Sequence, residues 1–218
     1  MADYRVGRIP ADKYTVELAV AVAASSAFPP FLSPIELDLD PSHFEPDSGL
    51  DLQRDPYTST AVLTDGGVYD NLGLETVWKR YRTVLVSDGG GHLDPQGDPK
   101  RDWARHSARV TFLIDNQVRS LRMRQLIDAY ADSSEPHNGA YWGIRTPTGR
   151  YNLDSAIPTD PARVLELAHT PTRLKSLDAQ RQERLINWGY ASCDVVLRKF
   201  YDPSITEPTG LPYCGVKI

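Results

Sequence analysis

The chain has 218 residues, 40% of them apolar and 24% charged, the usage of an ordinary globular protein long enough to build a sizeable core. Its 24 basic and 29 acidic side chains leave a net charge of −5, which argues against a nucleic-acid partner and against general attraction to anionic lipid surfaces. Cys193 and Cys214 are too few for a disulfide framework, so a reducing, cytoplasmic setting is expected, and neither their spacing nor that of the histidines suggests a metal site.

Met1 to Asp12 is polar and turn-like, with no charged-then-apolar leader. Thr15 to Ala27 predicts a helix rich in Ala and Val whose only charge is Glu17, a pattern that predicts burial on all sides. Its apolar stretch from Val16 is shorter than the ~20 residues needed to span a bilayer, and Pro29 and Pro30 stop it. Ile35 to Leu39 alternates apolar and acidic residues, as a half-exposed strand does, and Pro41 to Thr60 reads as a surface loop. Ala61 to Thr64 predicts a short buried strand running into Asp65.

Asn71 to Arg82 predicts a helix capped by Asp70 or Asn71, and Thr83 to Ser87 a second apolar strand that ends in Asp88-Gly89-Gly90-Gly91. A polar excursion from Leu93 to Asp102 follows. Arg105 to Ala131 predicts a long helix with Val110, Ile114, Val118 and Leu121 on one face. Tyr141 to Thr146 reads as a strand and Asp160 to Ala168 as a helix with Thr159 or Asp160 at its N-cap. Leu177 to Tyr201 predicts an amphipathic helix with Ile186, Tyr190, Cys193, Leu197 and Phe200 on one stripe. Strands alternating with helices predict an α/β layer architecture.

The chemistry concentrates in Val62-Leu63-Thr64-Asp65-Gly66-Gly67-Val68-Tyr69-Asp70-Asn71-Leu72-Gly73. An apolar run ends in an acid, two glycines let the chain bend and allow close approach, and a helical pattern opens at once. With Ala23-Ala24-Ser25-Ser26-Ala27-Phe28-Pro29-Pro30 about forty residues earlier, this stretch resembles the C-terminal half of a patatin-like acyl hydrolase, clearly over Tyr14 to Arg82. The resemblance implies an incomplete three-layer α/β/α domain over the whole chain and hydrolysis of lipid acyl esters by a Ser-Asp dyad. Asp65 is then the proton acceptor, and Gly66, Gly67 and Asn71 lie at the substrate. Phe28, Pro29, Pro30, Phe31 and Leu32 would line an acyl-chain entrance or form a buried core turn. No metal or organic cofactor is implied. The implied partners are a lipid or small acyl ester, transient contact with a membrane surface, and either a missing N-terminal half or a second copy of the chain.

Asp88 also follows a strand and precedes glycines. It continues into His92 and a Pro/Gly loop, however, so a glycine turn is the expectation there, and no Gly-Lys-Ser/Thr follows to make a phosphate loop. His92 reads as a solvated loop histidine. Arg119 and Arg122 share a helix face that either meets a phosphate head group or is solvated. Neither a G-x-S-x-G elbow nor the family's glycine-rich oxyanion loop occurs, and Ser25 and Ser26 sit in a small-residue helix suited to packing. The chain therefore reads as the Asp half of the enzyme, or as a non-catalytic remnant or scaffold that binds lipid or a partner. On its own it is expected to show no serine-hydrolase activity. A fluorophosphonate probe should leave the folded chain unlabelled, and labelling that maps to one serine would refute this.

Overall fold

A computed structural model describes all residues except 31, 133, 135 and 172–174. The chain is mixed α/β and clusters into two compact units, residues 1–71 with 98–115 and residues 72–97 with 116–218. Among the described residues there are three two-stranded sheets, and no helix is long and apolar enough to cross a membrane.

In the first unit, β1 (Ala2–Asp3) pairs antiparallel with β2 (Gly7–Arg8), and β3 (Ile35–Asp38) pairs antiparallel with β4 (Thr60–Leu63), Ile35 lying opposite Leu63. Ile9, Leu39 and Phe44 form the core, with Val6, Tyr14, Leu37 and Ala61 against it. The expected loop after β3 is present, with a 3-10 turn at Pro41–His43 that Asp40 caps by accepting from the Ser42 amide. The helix α1 (Leu18–Ser25) is shorter than its apolar run and corrects the expected burial: only Ala24 is buried, and Leu18 is 80% exposed. A helix apolar on every side needs cover on every side, and this small core covers one. The same holds for β4, expected to be buried, whose alternate residue Val62 is 64% exposed.

Within the expected helix from Asn71 to Arg82 only α3 (Leu74–Trp78), in the second unit, is helical, and a separate short helix that was not expected, α2 (Gly67–Asp70), precedes it in the first unit. Gly73, at φ +64, separates them in the left-handed conformation that glycine adopts without penalty. Asp70 and Asn71 thus end α2 instead of capping a helix, while Glu75 sits in the first turn of α3 and pairs with Lys79 at 2.8 Å.

In the second unit β5 (Thr83–Asp88) pairs in parallel with β6 (Asn138–Gly143), Val84 opposite Gly139, so the second strand lies three residues earlier than its apolar run predicts. Val84 and Val86 turn to a core with Leu74 and Leu126, while Leu85 is exposed. The long helix α4 (Trp103–Ala131) begins in the first unit and ends in the second. Its expected apolar face is overturned, since Val110, Ile114 and Leu121 are all exposed. Within the second unit the inward side holds Arg119, Leu126 and Tyr130, steps of seven and four that return to one face, and Leu121 lies across from it.

The helix α5 (Pro161–Ala168) is N-capped by Asp160, which accepts from the Ala162 amide, and buries Val164 and Leu167. The helix α6 (Ala179–Val196) continues into a π turn at Leu197–Tyr201. Here too another stripe is buried: Trp188, Ala191 and Val195 go inward, while Ile186, Tyr190 and Phe200 are exposed and Cys193 is half-buried. Asn187 is buried without penalty because its amide donates to the Tyr213 and Val216 carbonyls and accepts from the Tyr213 amide. Those bonds lay the C-terminal segment on α6, with Ile218 in the core. Buried Arg198 forks onto Asp194, at 2.9 and 2.7 Å, and donates to Ser155.

Leu18 and Val22 lie one turn apart on α1, both exposed. Contiguous apolar surface beyond a few hundred Å² is rare on soluble monomers, so the chain is expected to associate. Light scattering should find assemblies that shrink when Leu18 and Val22 are both changed to Lys, with the circular dichroism unchanged. A monodisperse monomer of the unaltered chain would contradict it.

Candidate functional site

Asp65 stands two residues past the end of β4, and two contacts fix the strand end. The Asp65 amide donates to the Ala27 carbonyl at 3.0 Å, and the Thr64 hydroxyl donates to the same oxygen at 3.0 Å while accepting from Ser33. Ala27 is fully buried, so the small residues after α1 serve to bring backbone against this turn. The Gly67 amide then donates to Asp65 Oδ1 at 2.7 Å, and the Val68 amide to the Asp65 carbonyl, which starts α2.

Gly66 and Gly67 are not there for positive φ, since Gly66 is right-handed at φ −62 and Gly67 opens the helix. Gly67 is closely approached instead: a methyl there would lie 3.0 Å from Asp65 Oδ1 and 3.2 Å from Asn71 Oδ1, and those side chains would have to give way by a few tenths of an ångström. A Cβ at Gly66 would meet open space. Asp65, Gly67 and Asn71 are therefore gathered in one turn, with Asp65 half-buried and Asn71 exposed. Among the described residues nothing donates to Asp65 Oδ2, so that oxygen can accept a hydroxyl. Of the expected acyl entrance, Phe28 stacks on Phe112 at 5.2 Å and Leu32 is 55% exposed, while Phe31 lies outside the described residues.

Asp88, in the second unit, makes the same local turn, with the Gly90 amide donating to Oδ1 at 2.8 Å. Its other oxygen differs: Tyr141 donates to Oδ2 at 2.6 Å. Arg119 lies 3.7 Å from Oδ1 and donates to the Gly91 carbonyl, and both charged side chains are nearly buried. A Cβ at Gly90 would meet the Arg119 guanidinium at 1.7 Å, so a side chain there would displace Arg119 from its place beside Asp88. Asp88 is therefore not loosely mounted, as its polar downstream loop suggests; each of its oxygens has a fixed partner. Sequence reading misses Arg119 and Tyr141 because only the fold brings them to Asp88.

Several of the other basic side chains of this unit have structural uses. Arg122 pairs with Glu75 at 4.0 Å and Arg124 donates to the Ser120 carbonyl, so neither joins Arg119 in a head-group site. His137 stacks on Trp78 at 3.8 Å and its Nε2–H donates to the Trp78 carbonyl, and His92 is exposed on its loop. Among the described residues no three His, Cys, Asp or Glu side chains gather to hold a metal. No family model, no curated protein and no solved structure matches the chain.

The Tyr130 hydroxyl donates to the Val84 carbonyl, and burial raises its pKa from 10.0 to about 12; burial, then the bond to Asp88, raises Tyr141 as well. The folded chain keeps these protons after the unfolded chain has lost them. Their contribution is thus complete below pH 10 and is lost as pH rises toward the folded values. Urea midpoints should fall between pH 10 and 12, and Tyr130→Phe with Tyr141→Phe should flatten that fall. An equal fall in the double variant would contradict the assignment.

Proposed function

We infer that this chain supplies the aspartate of a patatin-like lipid acyl hydrolase, its two units forming part of a three-layer α/β/α domain. The observation that supports the reading is Asp65 itself: one oxygen held by the Gly67 amide, the other without a partner among the described residues, in a turn tied to buried backbone. A base must be held in place and still have a lone pair to use, and Asp65 meets both needs where Asp88 meets only the first.

The serine comes from polypeptide outside these 218 residues, which hold no G-x-S-x-G. Its hydroxyl attacks the acyl carbonyl of a lipid or small ester as Asp65 Oδ2 accepts the proton. Backbone N–H groups hold the oxyanion, and the alcohol leaves with that proton. Water, deprotonated by the same carboxylate, then releases the acyl group and restores the serine. Gly66, Gly67 and Asn71 border the substrate.

The exposed apolar residues of α1 and β4 also favour a second reading, a non-catalytic scaffold that binds a partner or lipid through them. One experiment separates the two. The chain is expressed joined to whatever polypeptide is encoded in frame directly upstream, and p-nitrophenyl ester hydrolysis is measured. The enzyme reading expects hydrolysis, and expects Asp65→Asn to reduce it by at least ~10²-fold with the fold intact, Asp88→Asn costing far less per folded molecule. Hydrolysis that survives Asp65→Asn would contradict Asp65 as the base, and absence of hydrolysis or an upstream sequence without G-x-S-x-G would favour the scaffold.

A further inference from the structure

The second unit holds a cavity of about 550 Å³ that the Asp65 chemistry does not use and whose lining belongs wholly to that unit. Its lining runs from β6 (Gly139, Ala140, Tyr141) through the end of α4 (Ile127, Tyr130, Ala131) to Tyr151 and the π turn. Phe200 and Tyr201, on that turn, stand at the opening, 61% and 42% exposed, and Phe200 meets Tyr151 edge-on at 6.1 Å. A π turn adds a residue to the helical repeat and shifts the side chains that follow, and such turns recur at binding sites. Here the shifted residues are the two aromatics at the cavity mouth.

Two properties restrict what could fill it. Among the described residues no charged side chain lines it. Two of its part-buried hydroxyls are also committed, Tyr130 donating to the Val84 carbonyl and Tyr141 to Asp88, while Tyr151 accepts from Thr146. A sugar, a nucleobase or an ion would lose its water there and find few partners in return. A hydrocarbon loses nothing by entering. Size argues further, because a cavity of ~150 Å³ suffices for one benzene ring, and this one is several times larger. Polar capacity remains at the rim: the Asn138 carbonyl oxygen accepts from Thr83, while its amide N–H groups and the Tyr201 hydroxyl have no partner among the described residues. Both can donate to an oxygen.

We propose that this cavity binds the alkyl chain of a single-chain amphiphile, with an oxygen-bearing head against Asn138 and Tyr201. The proposal does not rest on the acyl-hydrolase reading, and Asp65→Asn should leave the binding unchanged.

Isothermal titration calorimetry with the normal alcohols from hexanol to decanol tests it, with 1-naphthol as the rigid-ring arm. Saturable one-to-one binding is expected, tightening ~4-fold per added methylene until the cavity is full. Ala131→Trp puts bulk at the mouth from an exposed helix end and should weaken binding at least tenfold, with circular dichroism and melting unchanged. Should that variant fold poorly, Phe200→Ala, at an exposed position, should flatten the chain-length dependence. The absence of saturable binding would overturn the proposal. So would binding of naphthol without the alcohols, or alcohol binding that neither variant alters.

Discussion

A carboxylate has two oxygens, and the use of the second one separates the two Asp-Gly-Gly turns of this chain. At both, the first oxygen accepts the amide of the residue two positions on, at 2.7 Å for Asp65 and 2.8 Å for Asp88. This is the local hydrogen bond that aspartate offers any turn. The second oxygen of Asp88 takes the Tyr141 hydroxyl, and Arg119 stands beside the first, so that turn joins β5, β6 and α4. The second oxygen of Asp65 has no partner among the described residues. One motif is thereby a structural joint in one unit and a candidate base in the other.

Cover is the other organising feature. The α6–α5 side of the second unit is well enclosed, with Trp188, Val164, Ala191 and Val195 almost fully buried and the polar Asn187 and Arg198 held by several hydrogen bonds each. The first unit encloses much less, and α1 and β4 leave apolar side chains in water. That contrast links the Asp65 proposal to the expected association, because an acid at the edge of an under-covered surface suits a site completed by other polypeptide.

Much of this was legible in the sequence, and the misses have physical causes. Element types were readable because apolar periodicity and the Pro and Gly stops are local signals; the Asp160 cap of α5 and the half-exposed β3 follow directly. The inward faces of α4 and α6 were misread because each helix has two plausible stripes and tertiary bonds choose between them. Arg119 is drawn in by the Asp88 turn, and Asn187 by the C-terminal carbonyls. Burial of α1 was overestimated because composition states what a helix needs and not what its surroundings supply. At the site, Asp65, Gly67 and Asn71 were readable together since they are local, whereas the Tyr141 and Arg119 contacts and the aromatic cavity depend on pairs far apart in the chain.

The difference between the two aspartates can be measured on this chain directly, by urea unfolding of Asp65→Asn and Asp88→Asn beside the unaltered protein. Asparagine at 65 keeps an oxygen for the Gly67 amide and disturbs no ion pair, so its cost should stay within ~0.5 kcal/mol. Asparagine at 88 leaves the nearly buried Arg119 without its counter-charge, and the cost should reach ~3 kcal/mol. A larger loss at 65 would make Asp65 the structural joint, and equal costs would remove the difference on which the assignment of the candidate base rests.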